Sequence, residues 1–191
     1  SRYNEDYIYL VPIGLAPIVI RAIFDARLSF IIHTSTILLI GFIIPNSFEY
    51  ILLQFLMGIL LISSLSRLQK RAQFFMAVVI IFISYAAIAL GLELIQHGSW
   101  NELTLKQFAI YGGSAALSMF SFPVIYLFEK AFGLVTDVTL LELSDTNNPL
   151  LRELATKAPG TFQHSVQVAN LSEEVLAQIG GNTLLARTGA L

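Results

Sequence analysis

Two long runs without a charged residue constrain this chain more than any other feature. Gln73–Leu92 is twenty residues with no formal charge, and Gln107–Phe128 is twenty-two. A helix rises 1.5 Å per residue, so about twenty residues cross a hydrocarbon core about 30 Å thick. Backbone placed in hydrocarbon must satisfy its own hydrogen bonds, which a helix does. Neither run lies at the N-terminus, so neither is a cleaved signal segment. The chain is 55% hydrophobic and only 13% charged, against about 25% charged for a soluble domain. A lipid bilayer is therefore an expected partner. The net charge of −2 offers nothing to neutralise phosphates, so no nucleic-acid polymer is expected. The absence of cysteine excludes disulfides and thiolate metal sites and fits a reducing cytoplasm.

Three further apolar stretches join these two, giving five segments: Tyr7–Phe24, Leu28–Ile44, Tyr50–Leu65, Gln73–Leu92 and Gln107–Phe128, the last able to continue to Ala131. The first contains Pro12 and Pro17, and its uncharged core, Tyr7–Ile20, is fourteen residues. It is read as a kinked span or a re-entrant piece. Arg21 and Asp25 stand four apart and could pair on one helix face.

The basic residues set an orientation. If the first segment runs from outside to inside, the inner connections carry Arg21, Arg27, Arg67, Lys70, Arg71 and Lys130, and the outer ones only Arg2 and Lys106. Six against two satisfies the positive-inside rule. Ser1–Asp6 then lie outside, which suggests sequence upstream, and everything after Lys130 lies in the cytoplasm. The expected location is the inner (cytoplasmic) membrane.

Small residues mark the fifth span: Gly112, Gly113, Ser114, Ala115, Ala116 and Ser118. They allow close helix approach in lipid, within one bundle or across a dimer. Pro123 is expected to bend this span in its lower half. His33, in the second span, has two readings: an intramembrane proton or metal group, or an interior histidine hydrogen-bonded near Thr34 and Ser35. His97 is read as solvated, and Trp100 as an interfacial anchor.

After Gly133 the composition changes. Residues 134–148 are read as a linker, in which Thr139-Leu-Leu-Glu142 has the spacing of a capping box. Asn148-Pro149 starts a helix with an apolar face of Leu150, Leu151 and Leu154. Pro159-Gly160 ends it, and Thr161 caps a longer helix carrying Phe162, Val166, Val168, Leu171, Val175 and Ile179. Gly180-Gly181 closes that helix, and Asn182 opens another through Leu184, Leu185 and Leu191. The fold class is all-α: a polytopic transmembrane bundle over 1–133, then helices over 149–191.

His164 is the one candidate for chemistry, near the start of that longer helix. Alone it reads as a solvated histidine. Glu173 and Glu174 are more than two turns away, too far to chelate with it, and read as a solvated face.

The segments Leu140–Ala155, Ala158-Pro-Gly-Thr-Phe-Gln-His-Ser-Val-Gln-Val-Ala-Asn-Leu-Ser172 and Leu184-Leu-Ala-Arg-Thr-Gly-Ala190 closely resemble bacterial seven-transmembrane receptors with a cytoplasmic HD hydrolase domain. The ending Phe128-Glu-Lys-Ala-Phe-Gly133 is similar to the same family. Its characterised members are cyclic-di-AMP phosphodiesterases. The resemblance implies that residues 149–191 begin an HD domain and that His164 matches the family's first metal-ligand histidine. It places the His-Asp doublet just beyond Leu191, further ligands later, and an extracellular domain and more membrane helices upstream. It also implies two divalent metal ions, iron or manganese, which would stabilise in-line attack on the phosphodiester.

Two functions therefore stand. One is a membrane-anchored, metal-dependent phosphodiesterase acting on a cyclic dinucleotide, with this chain inactive by itself because its ligand set is incomplete. The other is a receptor or transporter bundle with a non-catalytic helical extension. The sequence leaves open the signal sensed outside and any homo-oligomerisation.

Overall fold

The computed structural model describes residues 6–45, 47–65, 72–98 and 104–191. The basic cluster Arg67–Arg71, Arg2 and Trp100 lie outside the described residues, as does the side chain of His97. No strand occurs among the described residues. The chain divides into two compact units, 1–134 and 135–191.

The first unit contains α1 (Leu15–Ile23), α2 (Ala26–Gly41), α3 (Ser47–Ser64), α4 (Ala72–His97), α5 (Leu105–Leu117) and α6 (Ser121–Phe132). Among the described residues, three stretches are long and apolar enough to cross a membrane: Ser47–Ser64, Ala72–Gln96 and Leu105–Phe132. Tyr7–Ile23 and Ala26–Gly41 are shorter apolar helices. The surface agrees. Leu39, Phe42, Phe75, Met76, Ile83 and Ile95 are all exposed, an arrangement costly in water and natural against lipid tails.

The first apolar segment is broken in two. A 3-10 turn over Asp6–Leu10 gives way to α1 only at Leu15. Pro12 lies in the break and has no N–H to continue a ladder. Asp25 starts α2 as its N-cap, its side chain accepting from the Leu28 amide at 2.7 Å. Arg21 Nε donates to the Leu65 carbonyl at 3.0 Å. The last span is also divided. A 3-10 turn over Ser118–Phe120 separates α5 from α6, and Pro123 accounts for it. Proline has no N–H for the Met119 carbonyl one turn back, and its ring clashes there.

In lipid, apolar burial gives little drive for helices to associate, so close packing and polar bonds matter more. Helix α3 packs on both α2 and α4, α4 on α5, and α1 on α2 and α6. Ile37, Met57, Leu61, Ala77 and Ile81 are fully buried. Tyrosines add an aromatic layer: Tyr85 stacks on Tyr111 at 5.3 Å, and Tyr9 meets Tyr50 at 5.7 Å and Tyr111 at 5.9 Å. The small residues of the fifth span are used inside this bundle. Gly112 faces Phe82, Gly113 faces Leu10, and Ser114 Oγ donates to the Val11 carbonyl at 3.2 Å. His33 is buried, with Nε2 3.1 Å from the Gln54 carbonyl oxygen. Its partner is thus the backbone of α3, not Thr34 or Ser35.

The second unit contains α7 (Asp137–Leu143), α8 (Pro149–Lys157), α9 (Pro159–Ile179) and α10 (Thr183–Ala190). Two expected caps are displaced. Helix α7 starts after Thr136, so Thr139 lies inside it, and Asp137 occupies the first turn where a carboxylate suits the helix dipole. Helix α9 starts at Pro159, so Thr161 is also internal. Proline's fixed φ and missing N–H suit the first helical position better than a helix end.

Candidate metal-ligand site around His164

Each helix end near His164 follows from local chemistry. Asn148 caps α8 by accepting from the Leu150 amide at 3.1 Å, with Pro149 next in line. Ala158 leaves the helical region, and Pro159 begins α9 at once. Gly180 ends α9 at φ +76, a conformation a side chain would strain, and the Gly181 amide bonds back to the Leu176 carbonyl at 2.8 Å. Asn182 then caps α10 through the Leu185 amide at 3.0 Å. Helix α9 packs on both α8 and α10.

Helical spacing sorts the residues of α9. Phe162, Val166, Ala169 and Glu173 recur at intervals of four, three and four. Ala169 is fully buried and the other three are half-buried. His164, Val168, Leu171 and Val175 form a second stripe with the same rhythm, and all four are exposed. His164 therefore does not stand on a polar face. It begins an apolar one, on which Leu171 is 63% and Val175 57% exposed. The same stripe borders a shallow groove lined by Leu171, Val175, Leu176, Ala186, Gly189 and Ala190.

Glu173 departs from its expected solvated role. Its Oε2 accepts from Arg187 Nη1 at 2.6 Å, and the same Nη1 donates to Asn170 Oδ1 at 3.0 Å. This pair joins α9 to α10. Glu173 and Arg187 each stand seven residues from Gly180, a symmetry about the turn that could have pointed to it. Thr188 Oγ1 adds a bond to the Leu140 carbonyl of α7 at 3.1 Å. Glu174 is exposed.

The imidazole of His164 is exposed and so open to a ligand. Among the described residues, no group of three or more His, Asp or Glu could hold a metal ion. Among the described residues, His164 is thus not part of a three-ligand set.

A family model described as a 7TM receptor with intracellular HD hydrolase matches residues 1–136. The chain belongs to this family. It is 33% identical to the cyclic-di-AMP phosphodiesterase PgpH of Bacillus subtilis over 192 aligned residues, covering 95% of this chain and 27% of that protein. PgpH of Listeria monocytogenes is 45% identical over 89 residues, 47% of this chain and 12% of its own length. An uncharacterized protein of Synechocystis is 49% identical over 63 residues, 33% of this chain and 8% of its own. The chain thus spans about a quarter of the Bacillus relative. No solved structure matches it.

Proposed function

We propose that this chain is the membrane and entry part of a metal-dependent phosphodiesterase that hydrolyses a cyclic dinucleotide, cyclic-di-AMP being the substrate its relatives' names give. The carrying observation is the extent of the Bacillus match: 95% of this chain, too much to leave His164 out. In this reading the unit 135–191 faces the cytoplasm, at the inner membrane, and helices 149–191 open the HD domain. The bundle anchors the enzyme and passes a signal from an extracellular ligand.

His164 is the proposed metal ligand. The exposed imidazole at the head of an apolar stripe supports this, because further protein can pack on Val168, Leu171 and Val175 and still leave that imidazole beside it. His164 would be one ligand of a pair of divalent ions, iron or manganese, which when bound would supply charge stabilisation for in-line attack on phosphorus. The chain's own contribution is to hold one imidazole at a fixed place on α9. Rigidity there comes from the Glu173–Arg187 link to α10 and the buried Ala169. The remaining ligands are proposed to lie in the part of the family protein that this chain does not span.

The test is an assay of the full-length family protein carrying this chain. It should hydrolyse cyclic-di-AMP with manganese or iron and lose activity to a chelator. A metal-loaded protein that leaves the dinucleotide intact would favour the non-catalytic receptor instead.

A further inference from the structure

Hydrogen bonds from three neighbouring helices converge on α3 and its end. Near its N-terminus, Gln96 Nε2 of α4 donates to Glu49 Oε1 at 3.0 Å. Further along, His33 Nε2 of α2 donates to the Gln54 carbonyl at 3.1 Å, and the Tyr85 hydroxyl of α4 donates to Gln54 Oε1 at 2.8 Å. Just past its C-terminus, Arg21 of α1 takes the Leu65 carbonyl. Gln54 is the node, since one residue receives α2 through its backbone and α4 through its side chain.

The node is buried and incompletely satisfied. Gln54 is 0% and His33 2% exposed, yet Gln54 Nε2 and His33 Nδ1 have no hydrogen-bond partner among the described residues. A leucine at 54 would occupy the same interior without an unpaired donor. Buried polar groups left open cost stability, and such groups inside a membrane bundle point to function. Single hydrogen bonds between helices in lipid are weak, because separated partners find others. A set of them can be exchanged by a small shift of one helix, and because packed side chains have only separate stable arrangements, such a shift is discrete. Gly58 permits the arrangement seen here, for the His33 ring lies where a Cβ on residue 58 would stand.

We propose that α3 is a moving element of the membrane unit, and that Gln54 is the latch holding it in this arrangement against α2 and α4. The shift changes the position of α3 along α2 and, with it, of the chain end of α3 at Leu65. The proposal does not depend on the role of His164.

The chain contains no cysteine, so spin labels can be introduced without removing a native thiol. Labels at Leu39 on α2 and Leu60 on α3, both exposed, report the α2–α3 separation in the purified chain in lipid nanodiscs. Two distance populations are expected in the parent. With Gln54→Leu and Tyr85→Phe together, which replace the latch by apolar groups, one population and an undiminished melting temperature are expected. A single population in the parent overturns the proposal. So do two populations that the substitutions leave unchanged, or a fall in melting temperature. If the double variant does not insert, Tyr85→Phe alone, which removes one oxygen, is read by the same distances.

Discussion

Arg187 Nη1 lies 2.6 Å from Glu173 Oε2, and this pair ties α10 to the helix that carries His164. Both side chains are partly exposed, at 29% and 41%, so solvent screens the pair and its worth is modest. Arg187→Met removes this bond and the one to Asn170 while keeping the apolar stem. It should cost about 1 kcal/mol. Backbone amides of α10 should then exchange with solvent about fivefold faster, as followed by mass spectrometry. Unchanged protection would show that α10 is held by Leu184 and its apolar neighbours alone.

Gly58 and His33 give a sharper test of packing. A methyl at residue 58 meets the His33 ring, and overpacking of this kind costs about 1–3 kcal/mol. Gly58→Ala should therefore lower the melting temperature of the purified chain in detergent. In a His33→Ala background the ring is gone, and the same methyl should cost much less. Equal costs in both backgrounds would mean that the ring and the glycine do not compete for the space.

Orientation is checked by labelling. From the six-to-two bias of basic residues, the connection around Gln69 is expected in the cytoplasm and that around Ser99 outside. Cysteine at Gln69 should react with an impermeant reagent only after the membrane is opened, and cysteine at Ser99 in intact cells. The reverse pattern would put the helical unit on the wrong side for a cytoplasmic dinucleotide.

The apolar segments were legible because hydrocarbon imposes one rule, charge-free length, that residues 73–92 and 107–128 obey openly. Gln54 was not, since a glutamine inside a charge-free run leaves the pattern unbroken and its partners lie on other helices. The cap at Asn148 could be read because Pro149 allows one arrangement there. Thr161 misled because Pro159, two positions earlier, serves equally as a helix breaker or a helix starter. His164 was singled out by resemblance alone, and its place at the head of an apolar stripe emerged only when α9 was seen to turn Phe162, Val166 and Ala169 inward instead. The Glu173–Arg187 pair joins two helices across a turn, which no periodicity within either helix displays.

Residues 1–191 alone should not turn over cyclic-di-AMP with added manganese or iron. One exposed imidazole binds a metal weakly, and phosphodiester hydrolysis by this route needs several ligands around the metals. Measurable turnover by the purified chain, proportional to its concentration and absent from a mock preparation, would place the active site elsewhere in it.

His164 is proposed to ligate metal, and the metal content of the full-length family protein is the measurement that decides it. His164 is exposed on a helix where alanine is well tolerated, so His164→Ala should change stability without metal by no more than about 0.5 kcal/mol. Elemental analysis of the purified variant should show reduced manganese or iron per protein, with hydrolysis abolished and membrane insertion intact. Metal content and rate equal to the parent's would contradict the account and return His164 to an ordinary solvated histidine.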